Sequence, residues 1–283
     1  MKDLKVVVER IEELPTLPQV ASKVMKLIDD PNSSAQDLTR VMSRDAALAG
    51  KMLKLVNSAF YGLPNKVSTL DKAIVLLGFN TIKSLALSVS VFGVFGKGKP
   101  GGKFDRERFW RHSVGSACIY RVLARKVQGV DPETAFVAGL LHDIGKLVLD
   151  QYAPEELGAV LAEAEKRKSS FVEAERALFG TDHSMVGGQL ADRWGFPDVL
   201  ATWIKTHHAP GMEEKDPRVA ISVFSDYLVK VKGIAASGSY DPAVLSKTAW
   251  TCLKLEKTDL PPIIAEVNQE IKLADEMLAV GMS

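Results

Sequence analysis

Five histidines, His112, His142, His183, His207 and His208, all fall beyond the first hundred residues of this 283-residue chain. The segment Gly139-Leu140-Leu141-His142-Asp143-Ile144-Gly145-Lys146-Leu147 sets an imidazole, a carboxylate and an ammonium into an apolar run that reads as helix. Burying such groups without partners is costly, so they require a metal, a ligand or each other. Neutral imidazole and carboxylate suit a borderline divalent ion, and the carboxylate can reach the same ion as its neighbour or bridge to a second. A lone histidine, or a lone His-Asp pair, says little. The set says more: His112 upstream of the dyad, then His183, the His207-His208 pair, and Asp226 inside the apolar stretch Val219 to Val229. The chemistry this suggests is one or two bound ions, iron before manganese or zinc, because imidazoles and carboxylates come without a thiolate set. On a helix Asp143 and Lys146 share a face, which would put an ammonium beside the ion, able to meet a phosphate.

Helices must position these residues, because helical spacing dominates and strand signals are nearly absent. Val20, Val24, Leu27 and Ile28 form one apolar stripe after the breaker Leu14 to Pro18. Ser34 before Asp37 and Ser68 before Asp71 read as capping-box starts, and Asp131-Pro132-Glu133 and Phe171-Val172-Glu173 as further helix starts. Breaks are expected over Asn57 to Pro64, at Gly78-Phe79-Asn80 and at Gly195-Phe196-Pro197. Asn57, Phe60 and Tyr61 are expected to cap a helix and pack at a lobe junction. The glycine- and lysine-rich run Gly96 to Phe104 reads as a linker, so the expected division is a lobe over 1–100 and a second over 101–283, with the helical pattern of Ile263 to Met277 packing on the latter. The fold class is all-α, a two-lobed helical bundle.

Composition limits the classes. Lys and Arg total 36 against 35 Asp and Glu, a net charge of +1, with 46% hydrophobic and 25% charged residues. A disordered chain and a generally basic nucleic-acid coat are excluded. The segment Lys97, Lys99, Lys103, Arg106, Arg108 and Arg111 reads either as a phosphate-attracting patch or as a solvated linker, and no specific nucleic-acid recognition module accompanies it. Cys118 and Cys252 are too far apart to suggest a disulfide framework or zinc ribbon. With no secretory signal and no apolar run of spanning length, the expectation is a cytoplasmic protein with no membrane association.

The order of the histidines resembles the HD-domain superfamily of metal-dependent phosphohydrolases. That resemblance implies His112, His142, Asp143 and Asp226 as a basic metal set, with His183, His207 and His208 as the extra ligands of binuclear members. Leu14 to Pro18, Asp45-Ala46-Ala47-Leu48, the run Lys51 to Gly62 containing Asn57-Ser58-Ala59-Phe60-Tyr61-Gly62, and Ala73 to Gly78 are similar to the HDOD family, the HD-related output domain of bacterial signalling proteins. Many HDOD members have lost HD-site residues; this chain keeps them. The resemblance implies an output or interaction module for a signalling partner. No receiver, kinase or cyclase segment is read on either side, so the sensor is expected to be a separate protein or the pocket itself. A second reading is a phosphohydrolase using Asp143 and Lys146 on a small phosphate compound; a thinner one is di-iron oxygen chemistry. Lys146 matches the lysine of the cyclic-dinucleotide branch. That branch also carries a glutamate after a paired histidine and then a Gly-Tyr-Pro segment, whereas His208 is followed by Ala209-Pro210-Gly211-Met212. Cyclic-di-GMP is therefore not the expected substrate.

Overall fold

The computed structural model describes residues 17–30, 32–95, 104–209, 211–212, 215–234, 238 and 240–281. Those residues form helices α1 (Gln19–Asp29), α2 (Ala35–Met42), α3 (Ala46–Val56), α4 (Leu70–Leu77), α5 (Phe79–Phe95), α6 (Arg106–Ala124), α7 (Pro132–Leu141), α8 (Ile144–Tyr152), α9 (Pro154–Arg167), α10 (Phe171–Phe179), α11 (His183–Trp194), α12 (Asp198–Thr206), α13 (Pro217–Val231), α14 (Lys247–Cys252) and α15 (Leu260–Gly281), with no strand among them. None of these helices is long and apolar enough to cross a membrane. The expected division at residue 100 falls in a stretch outside the described residues.

Local chemistry sets most of the boundaries. Ser34 and Asp37 form a reciprocal capping box at the start of α2, and Ser170 and Glu173 form another at α10. Asp131 accepts a hydrogen bond from Thr134 N with Pro132 in the first turn of α7, where the missing N–H costs nothing. The start expected at Ser68 lies one residue later: Thr69 caps α4 by accepting from Lys72 N.

The centre of the molecule is α6, whose side chains from Val114 to Ala124 are all buried. Its most extensive partner is α7, followed by α15 and α13. The helical pattern over Ile263 to Met277 is expected to pack on the second lobe; α15 does so through α6, and it also lies against α3, α5 and the 3-10 turn Ala59–Tyr61 of the first. Arg121 of α6 and Arg125, its C-cap, hold it through Glu270, at 2.9 and 2.8 Å.

The Asn57 to Tyr61 turn is the hinge piece of the junction. The Asn57 side chain donates to the Leu53 and Val67 carbonyls at 2.7 and 2.8 Å and accepts from Val67 N at 2.7 Å, clamping the loop back onto the end of α3. Phe60 is thereby driven onto Phe136 of α7, with ring centroids 5.7 Å apart, under the Arg121 guanidinium at 4.5 Å. Arg106, counted in the basic segment, is not a free cation: it donates to Asp150 at 2.6 Å and to the Phe95 carbonyl at 2.5 Å.

Truncating Phe60 removes the ring that joins the first lobe to α6 and α7. Phe60→Ala is expected to lower unfolding free energy by about 3 kcal/mol in urea titration; a loss under about 0.5 kcal/mol would show that the junction does not depend on it.

Candidate metal centre

The His-Asp dyad does not sit inside one helix, as its apolar surroundings suggested. Leu141 ends α7, His142 and Asp143 form the turn, and α8 begins at Ile144. That turn turns Asp143 toward both α6 and α11. Two close backbone approaches fix the arrangement. A Cβ on Gly139 would lie 2.7 Å from Ala117 Cα, so glycine lets α7 press against α6 and brings His142 to His112. A Cβ on Gly145 would lie 2.0 Å from the His183 carbonyl oxygen and 2.8 Å from Gly187 N, so glycine is required where α8 meets α11.

Four imidazoles are oriented by the same device. His142 Nδ1 lies 2.8 Å from the Gly139 carbonyl, His207 Nδ1 2.7 Å from that of Ile204, and His112 Nδ1 3.2 Å from that of Ile234. His183 Nδ1 lies 2.6 Å from Glu175 Oε2. These oxygens can only accept, so each Nδ1 carries its proton and each Nε2 turns inward. The inward nitrogens meet in pairs, His112 with His142 and His183 with His207, both at 3.3 Å. Between them is Asp143, wholly buried. Its Oδ1 lies 2.9 Å from His183 Nε2 and 3.5 Å from His207 Nε2; its Oδ2 lies 3.3 Å from His112 Nε2 and 3.6 Å from His142 Nε2.

The result is two sets of ligand atoms sharing one carboxylate. Asp143, His183, His207 and His208 form one, and His112, His142 and Asp143 the other, each close enough together to hold an ion. The residues fit a metal on chemical grounds. Two imidazole lone pairs facing each other at 3.3 Å repel unless a cation lies between them, and Asp143 Oδ1 is buried without a hydrogen bond of good geometry. Electrostatics points the same way. Burial holds His207 below, and His142 and His208 well below, the usual imidazole range, which keeps them neutral as ligands must be. His183 is the exception: burial opposes its charge, but Glu175 and Asp143 push it up to about 9. The site thus favours a cation at His183 Nε2, whether a proton or a metal. Burial also opposes charge on Asp143, yet His142, Lys146 and His183 hold its carboxyl well below the usual range.

Lys146 is buried, with Nζ 2.7 Å from Asp143 Oδ2 and 5.0 Å from the centre of the Phe171 ring. Asp226 lies on α13 at the wall of the same cavity and belongs to neither ligand group; Lys230, one turn on, takes its Oδ2 at 2.7 Å and Asp241 Oδ2 at 2.5 Å. The structure therefore does not bring Asp226 into the set to which the resemblance assigned it. The cavity has a volume of about 220 Å³ and is lined by the histidines other than His183, Asp143, Lys146, Tyr120, Arg176, Ser225 and neighbouring residues. Sequence reasoning missed Glu175, and also Arg176, which donates to the His208 carbonyl at 2.9 Å and to Asp182, the cap of α11. Glu175 did leave a signal. It stands four residues after Phe171 and four before Phe179, on the apolar stripe of its own helix.

The model of the HDOD domain matches residues 14–210. An uncharacterized protein of Treponema pallidum (strain Nichols) is 25% identical over 230 residues, 79% of this chain and 44% of the relative. YuxH of Bacillus subtilis (strain 168) is 29% identical over 132 residues, 44% of this chain and 31% of the relative, so the chain spans less than half the length of the curated relatives it matches. Among solved structures, an HDOD domain protein of unknown function from Geobacter sulfurreducens superposes with a TM-score of 0.81 at 25% identity, covering 98% of both chains. A protein from Shewanella amazonensis SB2B with a provisional phosphohydrolase name superposes with a TM-score of 0.75 at 23% identity, covering 98% of both chains, and shares the fold.

The glycine contact gives a paired test. Gly145→Ala forces α8 from α11 and is expected to cost about 3 kcal/mol, at the upper end for overpacking, together with metal binding. Gly50→Ala, at an exposed position of α3 where a Cβ meets nothing within 4 Å, should stabilise slightly. Equal stability and equal metal uptake in the two variants would refute the close-approach argument.

Proposed function

The chain belongs to the HDOD family, and on that premise we propose that it is a bacterial signal-transduction output module whose HD-type centre binds one or two metal ions and hydrolyses a small phosphate compound other than cyclic-di-GMP. The observation that carries this reading is the convergence of four Nδ1-anchored imidazoles on the two oxygens of Asp143. His112, His142, His183, His207 and His208 with Asp143 would hold the metal, with iron suited to this thiolate-free set and manganese or zinc as alternatives. A divalent ion in such a set lowers the pKa of a bound water and polarises a phosphoryl oxygen.

The chain's own residues do the rest. Without an ion, Lys146 and a proton on His183 balance Asp143 and Glu175, and one divalent ion in place of that proton makes the cluster net positive. A cavity of that sign draws a phosphate, and excludes a neutral competitor by comparison. Lys146 lies buried at the cavity wall, its ammonium held rigidly by Asp143, and an ammonium already in place has little reorganisation left to make as charge develops. The provisional phosphohydrolase name of the Shewanella protein agrees with this reading. Its partner would be a separate sensor or signalling protein that responds to the state of the cavity.

The test is turnover over a panel of nucleotides, phosphomonoesters and cyclic dinucleotides by wild type, chelator-treated protein and two variants. Metal-dependent hydrolysis of a phosphate compound is expected, lost in Asp143→Ala and lowered about 100-fold in Lys146→Met. Brisk cyclic-di-GMP cleavage would overturn the substrate claim. Turnover that survives both chelation and Asp143→Ala would overturn the mechanism.

A further inference from the structure

Glu175 has no role in the reading above beyond its charge, and its surroundings are unusual. The side chain is fully buried, its ion-pair partner among the described residues is His183 at 2.6 Å, and Oε1 has no hydrogen-bond partner. A buried carboxylate held by one imidazole is poor stabilisation, since an apolar residue of that size would avoid the desolvation. Its contribution must therefore lie in what it does to His183.

The other three anchored imidazoles are backed by the carbonyls of Ile234, Gly139 and Ile204. A carbonyl oxygen carries a partial charge and a carboxylate a whole one. The carboxylate draws the Nδ1 proton more strongly, fixes the ring more firmly and leaves Nε2 the better donor. The two ligand groups that share Asp143 are consequently unequal. One offers His112 and His142, both carbonyl-backed; the other offers His183, carboxylate-backed, with His207 and His208. We propose that Glu175 is a positioning residue that makes the His183, His207 and His208 group the tighter of two metal positions, so that ions load in sequence and the His112 and His142 position fills second. This rests on the metal-centre reading above. The two positions then answer to different metal concentrations, and the weaker one is the exchangeable half of the centre.

The experiment is calorimetric titration of the metal-stripped full chain with Mn²⁺, for wild type, Glu175→Gln and His112→Ala, with the thermal midpoint of each metal-free protein measured alongside. Wild type is expected to bind in two steps. Glu175→Gln should weaken the first step by about 10- to 100-fold and leave the second within a few-fold. His112→Ala should remove the second step and keep the first. A merely structural role would lower the thermal midpoint of Glu175→Gln without separating the two affinities. No Mn²⁺ binding by wild type would overturn the metal-centre reading itself. Binding with an unchanged first step in Glu175→Gln would overturn the role of Glu175 alone, and loss of the first step in His112→Ala would overturn the order of loading. If Glu175→Gln does not fold, the His112→Ala titration still decides that order.

Discussion

The rest of the structure depends on keeping four imidazole lone pairs and one buried carboxylate in contact. Nothing in an apolar interior favours such a cluster. Each ring had to be locked by an acceptor at Nδ1, and the helices carrying the rings had to approach more closely than side chains normally allow. Gly139 and Gly145 supply that approach on either side of the His142-Asp143 turn, one against α6 and one against α11. Asp143 consequently faces one pair of nitrogens with each oxygen. Filling either glycine contact would move a whole helix, and with it half of the ligands.

Electrostatic balance explains the shell around that cluster. Lys146 answers Asp143, Glu175 answers His183, and Arg176 ties Asp182 and the His208 backbone to α10. Burial would neutralise an isolated group; Asp143 and His183 keep their charges through their partners, while burial holds His142, His207 and His208 neutral. Among the described residues, the first lobe puts no side chain in the cavity wall. Its contribution is mechanical: the Asn57 clamp delivers Phe60 to α7 and Arg121, and Arg121 holds α15, which spans both lobes. Helix α7 is thus loaded from one side by the first lobe and ends, on the other, at the dyad.

Much of this was legible in the sequence, wherever local chemistry decides the outcome. Ser34, Asp131 and the Gly195 break act within a few residues of themselves, so their roles could be read directly. Phe60 was legible as a junction residue because an aromatic after a helix stop needs a partner. What remained hidden was decided at long range. The apolar run around His142 looks continuous, yet the chain turns there because Gly139 and Gly145 must meet two different helices. Asp226, offered as a ligand by the resemblance, lines the cavity outside both ligand groups, with Lys230 one turn away on its Oδ2, and that placement is decided by α13. Glu175 stands on the apolar stripe of its helix, but only the position of His183 shows why a carboxylate is buried there.

The most direct test of the account is anomalous diffraction from crystals of the full chain equilibrated with Zn²⁺. The account requires anomalous density within about 2.0–2.1 Å of histidine Nε2 atoms on one or both sides of Asp143, with Nδ1 of His112, His142, His183 and His207 still on its present acceptor. Ions bound only elsewhere, or ligated through Nδ1 by rings that have turned over, would contradict it.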